Sequence, residues 1–344
     1  MRLPVLAGPG WQPGQQYHDP QRDPEGLSLA GPRRLWHCLR FGPSRRGPGN
    51  GPQNGPPAPV AAARAVSGPP AESLAWFAGR WDQPQRLAVP LDDRGLNLAD
   101  GVFETLLWRS DGPVLWPQHW QRLQRSCALL GLAPEPDVAR IQALAAEGFR
   151  CLGSSSGQAA LRITVSRGPG ERGLALPQPQ QPRLWLQLHA VTPCFAPVDV
   201  ITSRLVRRHG DCASSRCKTL NYTDAVIARR EAGMAAADDA LLLSSTGHYS
   251  CATAANLWVQ REMNWLTPSL DQGCLPGIMR GQLLQHPTSH EAPISRQTLL
   301  DGGGLLLNSI SCRPIRSLDG HAPRRQLSPQ EAGRLFAQLC SSDY

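Results

Sequence analysis

A break in composition near residue 70 decides how much of this 344-residue chain can fold. Residues 1–70 hold 11 Gly and 14 Pro, without the every-third-residue glycine of collagen. Such a stretch shows no sustained apolar periodicity and cannot bury enough surface to offset its ordering entropy. Residues 1–72 are therefore expected to form a disordered Pro/Gly/Arg-rich leader. The segment is Arg-rich and acid-poor like a transit peptide, but Ser-poor and without an amphipathic helix. The favoured expectation is a start codon placed too far upstream, the protein proper beginning near Ala71. Eight Arg against three acids in residues 1–70 supply most of the formal net charge of +8. The remainder is close to neutral and lacks interleaved basic and aromatic residues, so no nucleic-acid partner is expected.

The rest is long enough for two domains of ordinary size, and 41% hydrophobic content can fill a core. No run approaches the ~18 to 20 apolar residues that cross a bilayer, and the first residues lack a secretory signal. The ten cysteines are scattered, with no C-x-x-C pair and no histidines at zinc spacing. They read as reduced thiols in a soluble, cytoplasmic protein with no membrane partner and no metal site.

Strands are expected at 74–81 (with a turn), 102–107, 114–116, 161–166 and 184–191, with helices at 119–130 and 136–152. Thr192-Pro193 and Ala196-Pro197 punctuate the chain, placing a linker there. A smaller α+β domain would span 73–192 and a larger one 197–344. In the larger, a helix at 224–236 precedes strands at 240–244 and 254–259. A loop follows at 267–276, then a helix from Gly277, a strand at 305–311 and a closing helix at 328–340. Ser328 and Glu331 are spaced as a capping box for that last helix. The fold class is mixed α/β (α+β). Gly168-Pro169-Gly170-Glu171-Arg172-Gly173 fits G-x-G-x-x-G after a strand, but prolines follow where a dinucleotide site needs a helix, so it reads as a loop.

Lys218 is the lone lysine among 35 Lys and Arg. A guanidinium stays protonated and cannot form an imine, whereas an amine can. Any imine chemistry carried by a side chain must fall to Lys218.

Four ordered segments resemble the class IV aminotransferase family, the fold-type IV pyridoxal-phosphate enzymes. They run from Asp93-Arg94-Gly95 through Asp100-Gly101 to Glu104-Thr105; through His119 and Arg122-Leu123; and through Lys218-Thr219-Leu220-Asn221-Tyr222. The fourth joins Ala254-Ala255-Asn256-Leu257 to Leu270-Asp271-Gln272 and Gly277-Ile278-Met279-Arg280. Together with the run from Ser166-Arg167-Gly168 to Arg172-Gly173, these are most similar to the branch of 4-amino-4-deoxychorismate lyases. Those enzymes release 4-aminobenzoate and pyruvate in folate synthesis. Branched-chain or D-amino-acid aminotransferases are the alternatives, and a cofactor-binding pseudoenzyme is a third. The resemblance implies a two-domain architecture, pyridoxal 5'-phosphate at the domain boundary, a small amino substrate and a homodimer. It makes Lys218 the Schiff-base lysine and proton carrier, and Arg122 the phosphate anchor. Gly277 and Ile278 would add backbone N–H groups, with Thr253 also beside the cofactor. Arg172 would hold a substrate carboxylate, and Asn308 would stand on the active-site wall.

Cys251 departs from that pattern. Family members usually place there a glutamate that bonds the cofactor ring nitrogen. Such a charge-assisted bond is worth roughly 1.5–3 kcal/mol, so its loss weakens the electron sink. An elimination that ends in an aromatic ring tolerates a weaker sink than amino transfer does.

Overall fold

A computed structural model describes residues 72–133 and 136–341, so the expected leader lies outside the described residues. Two sheets organise these residues. The first is built from β1 (Ser73–Phe77), β2 (Arg80–Asp82), β3 (Gly101–Arg109), β4 (Gly112–Pro113), β5 (Gln158–Ser166) and β6 (Arg183–Ala190). Its order is β2-β1-β6-β5-β3-β4, with every pairing antiparallel. The short α1 (Arg94–Leu98) precedes β3, while α2 (Trp116–Leu130) and α3 (Val138–Leu152) follow β4. Leu123 and Cys127 of α2 and Ile141, Ala145 and Leu152 of α3 pack with Leu106, Leu161, Ile163 and Leu186 of the sheet. The opposite face of β3 and β5 is covered in part, with Leu107 in a second core cluster, and Phe103, Thr105 and Arg162 on it line a cavity.

The second sheet takes its strands from 198–318: β7 (Val198–Arg208), β8 (Asp239–Ser244), β9 (Tyr249–Ala252), β10 (Asn256–Arg261), β11 (Asn264–Thr267), β12 (Ser289–Glu291), β13 (Gly303–Asn308) and β14 (Ser311–Leu318). The order is β12-β11-β10-β13-β14-β7-β8-β9. An added contact of Asn256 with Cys251 returns β9 to β10 and closes a ring of strands. Four helices accompany it: α4 (Thr223–Met234), α5 (Ile278–Leu283), α6 (Arg296–Asp301) and α7 (Pro329–Cys340). The expected capping box opens α7, Ser328 and Glu331 bonding each other's backbone N–H.

Three expectations need correction. Residues 114–116 do not continue a strand: Leu115 takes a left-handed φ of 53° and Trp116-Pro117 opens α2, proline favouring a first helical turn. The strand expected at 305–311 is two, with a turn at Ser309-Ile310 sending β14 back along β13. β7 and β9 were not anticipated. Three arginines and one aspartate hide the period of β7, and Tyr249-Ser250-Cys251-Ala252 is buried on both faces, so it shows no alternation. After Gly168-Pro169-Gly170 no helix follows. Gly168 has φ +83° with its α-carbon against the Gln181 carbonyl, where an added Cβ would come within 1.8 Å.

Candidate active site

Backbone hydrogen bonds carry Lys218 from the second half of the chain onto the first sheet. Phe103 N–H donates to the Lys218 carbonyl at 2.9 Å, and Leu220 N–H to Gly101 at 3.0 Å. Lys218 thereby faces a cavity of about 890 Å³, within the range of small-molecule sites. Its Nζ donates to the Tyr222 hydroxyl at 3.0 Å and lies 4.3 Å from the centre of the Phe103 ring.

Arg122 on α2 reaches the same cavity. It donates to both oxygens of Glu104 (2.7 Å each) and to the Pro276 carbonyl (3.0 Å). Glu104 is 1% exposed and Arg122 4%. Burial would raise the Glu104 carboxyl, but the charge and hydrogen bonds of Arg122 and the bond from His119 bring it down to about 2. His119, also buried, is held below the ordinary histidine value by desolvation, against the pull of Glu104. A guanidinium has five N–H donors; three are spent on the chain, so two remain toward the cavity.

Gly277 and Ile278 stand beside this corner. Gly277 N–H is already committed to Leu275, at 2.8 Å. Ile278, the first residue of α5, has no acceptor for its N–H within the helix and is the freer donor. A Cβ at 277 would come 2.0 Å from Asn256 Oδ1, so a larger residue there displaces the Asn256 amide. Thr253 also lines the cavity, but its hydroxyl is engaged: it donates to Asp239 at 2.6 Å and accepts from Arg229. Its backbone N–H also points to Asp239, at 3.4 Å, so Thr253 is a wall residue whose donors are spent on the chain.

Cys251 lines the cavity at 9% exposure. Burial pushes its thiol up, against the charge of Arg208, so it stays neutral. The carboxylate of Asp239 is occupied by Thr253, Arg229 and the Ala240 N–H and cannot take the place of an acid at 251.

Arg172 is exposed and does not line the cavity. Asn308 does; its amide donates to Ala254 and accepts from Ile310 and Ser311, so it is at once a satisfied strand end and a wall residue. Sequence reasoning missed Arg162. This arginine of β5 projects beside Phe103, its guanidinium carbon 3.5 Å from the ring centre. Among the described residues it has no carboxylate or hydrogen-bond partner. The sequence showed only an arginine inside an apolar strand; that it stands opposite Thr105, on the cavity side, appears in the fold. The nearby Arg94 and Arg167 are different. Both bond Asp100 at 2.8 Å, and although burial would raise the Asp100 carboxyl, their hydrogen bonds and charges lower it.

Comparison with known proteins places this geometry. The sequence signature of the family Amino-transferase class IV matches residues 101–318. A putative branched-chain-amino-acid aminotransferase of Methanocaldococcus jannaschii is 24% identical over 276 residues, covering 76% of this chain and 92% of its own. Aminodeoxychorismate lyase of Bacillus subtilis is 23% identical over 209 residues, covering 60% and 71%. A solved structure, described as a hypothetical aminotransferase from Mycobacterium tuberculosis in its PLP-bound form, is 25% identical. It superposes with a TM-score of 0.67 over 79% of this chain and all of its own. The chain belongs to the class IV aminotransferase family. That family works with pyridoxal phosphate, and the residues here fit the group: one amine for its aldehyde, and unspent Arg122 and Ile278 donors for its phosphate.

Proposed function

We propose that this protein is a lyase converting 4-amino-4-deoxychorismate to 4-aminobenzoate and pyruvate. The carrying observation is Arg162, a half-buried cation with no carboxylate partner among the described residues, on the same Phe103 ring as the Lys218 amine. Burial disfavours its charge, and a substrate carboxylate relieves that cost. Arg172 is the second candidate for a substrate carboxylate, reaching it only if its exposed loop turns inward. Pyridoxal phosphate, when bound, supplies the sink for electrons released at the amine-bearing carbon. Arg122 and the Ile278 N–H hold its phosphate, with Thr253 on the wall beside it. Lys218 Nζ removes the proton from the amine-bearing carbon and returns one to the departing three-carbon fragment. Tyr222 keeps that nitrogen aimed by accepting its hydrogen bond. A neutral Cys251 supports a reaction that gains aromaticity over one that relies fully on the sink.

Amino transfer is the second reading, supported by the apolar stretch of wall at Leu98, Leu130, Leu174 and Leu176, which suits an aliphatic side chain. A homodimer in the cytoplasm completes the proposal; Leu205, Val226 and Met234, 65–79% exposed, offer apolar surface for a second copy. The test is incubation of the purified protein, loaded with pyridoxal phosphate, with aminodeoxychorismate. Free 4-aminobenzoate and pyruvate are expected, and their absence alongside amino transfer to a keto acid overturns the lyase reading.

A further inference from the structure

A directional hydrogen-bond chain leads from the protein interior to the cavity wall. Glu104, ionised between two Arg122 bonds, can only accept. His119 Nδ1, 2.8 Å from Glu104 Oε2, must therefore carry a proton. The ring is 2% exposed, and its neighbours include the cations Arg122 and Lys218, which disfavour a second proton. Nε2 is then a bare lone pair, 3.4 Å from the hydroxyl of Ser309. Ser309 has a single proton, and Nε2 takes it. What Ser309 turns to the cavity is lone pairs, on a wall otherwise rich in the donors of Arg162, Arg207, Arg208 and Lys218.

We infer that Ser309 is a specificity residue: held as an acceptor by His119 and Glu104, it takes a hydrogen bond from an N–H or O–H of the bound ligand and turns away an anionic oxygen. The cavity thus has a cationic side for a carboxylate and an acceptor for an amine, which orients an amino-carboxylate in one sense. This rests on the amino-carboxylate reading above.

A ligand pair separates the possibilities. Dissociation constants of 4-aminobenzoate and benzoate are measured on the pyridoxal-phosphate-loaded protein, wild type beside Ser309→Ala and Ser309→Thr. One hydrogen bond is worth about a five-fold preference for the amine. The wild type should show it, Ser309→Ala should lose it with benzoate binding unchanged, and Ser309→Thr, which keeps the hydroxyl, should restore it. A preference that survives in Ser309→Ala, or equal weakening of both ligands, overturns the inference and leaves the lyase reading standing. Failure of the wild type to bind either compound overturns both.

Discussion

Replacing Glu104 by Gln tests the buried corner that holds Arg122. The carboxylate accepts two 2.7 Å bonds from Arg122 and one from His119, and none of the three groups is more than 4% exposed. An amide offers one oxygen and turns its NH2 against donors. A buried guanidinium without its anion costs about 3–5 kcal/mol. The pH dependence gives an independent magnitude. Lowering the carboxyl from the ordinary 4.5 to about 2 corresponds to about 3 kcal/mol. The folded value is the depressed one, so this stability is fully present above pH 4.5 and is lost as pH falls toward about 2. Urea unfolding of wild type and Glu104→Gln at a series of pH values should show a gap of about 3–5 kcal/mol at neutral pH. That gap should shrink as the solution approaches about pH 3, because the wild type then surrenders what the variant never had. Glu104→Asp, which keeps the charge, should retain the acid slope. A gap below about 1 kcal/mol at neutral pH, or one that does not change with acidity, refutes the reasoning.

Arg162→Leu should raise KM for the carboxylate substrate about ten- to hundred-fold, from the loss of one charge-assisted bond, while pyridoxal phosphate affinity is unchanged. Steady-state kinetics beside a cofactor titration check it. His119→Gln should flatten the stability profile just below pH 6.5, because the buried ring resists the proton that the unfolded chain accepts there, so wild-type stability rises with pH in that window. Gly277→Ala forces a Cβ to within 2.0 Å of Asn256 Oδ1 and should weaken cofactor binding along with stability, read by absorbance and urea unfolding. Cys251→Glu should increase amino transfer relative to 4-aminobenzoate release; an unchanged product ratio would count against a role for the missing acid.

The parts of the site legible in the sequence are those whose chemistry is rare or whose spacing is local. A lone lysine needs no fold to be singled out, and Arg122 with Leu123 sits at helical spacing beside the buried face of α2. Gly277 was legible as a helix start, though not the commitment of its N–H to Leu275. What the sequence hid depends on pairing across distance. Arg162 matters because β5 lies beside β3 with Thr105 opposite, and Glu104 because α2 folds back over the strand that carries it. Arg172 shows the converse: a charge picked out by its motif stands exposed on its loop. In the fold, amphipathic helices and alternating strands were readable, whereas β9, buried on both faces, carries no period to read.

Borohydride reduction of the pyridoxal-phosphate-loaded protein, followed by peptide mapping, tests most directly whether Lys218 carries the chemistry. The cofactor's mass should appear on the peptide containing Lys218, and Lys218→Ala should carry none. A label on any other residue, or an unlabelled Lys218 peptide in protein that has bound the cofactor, would contradict the account.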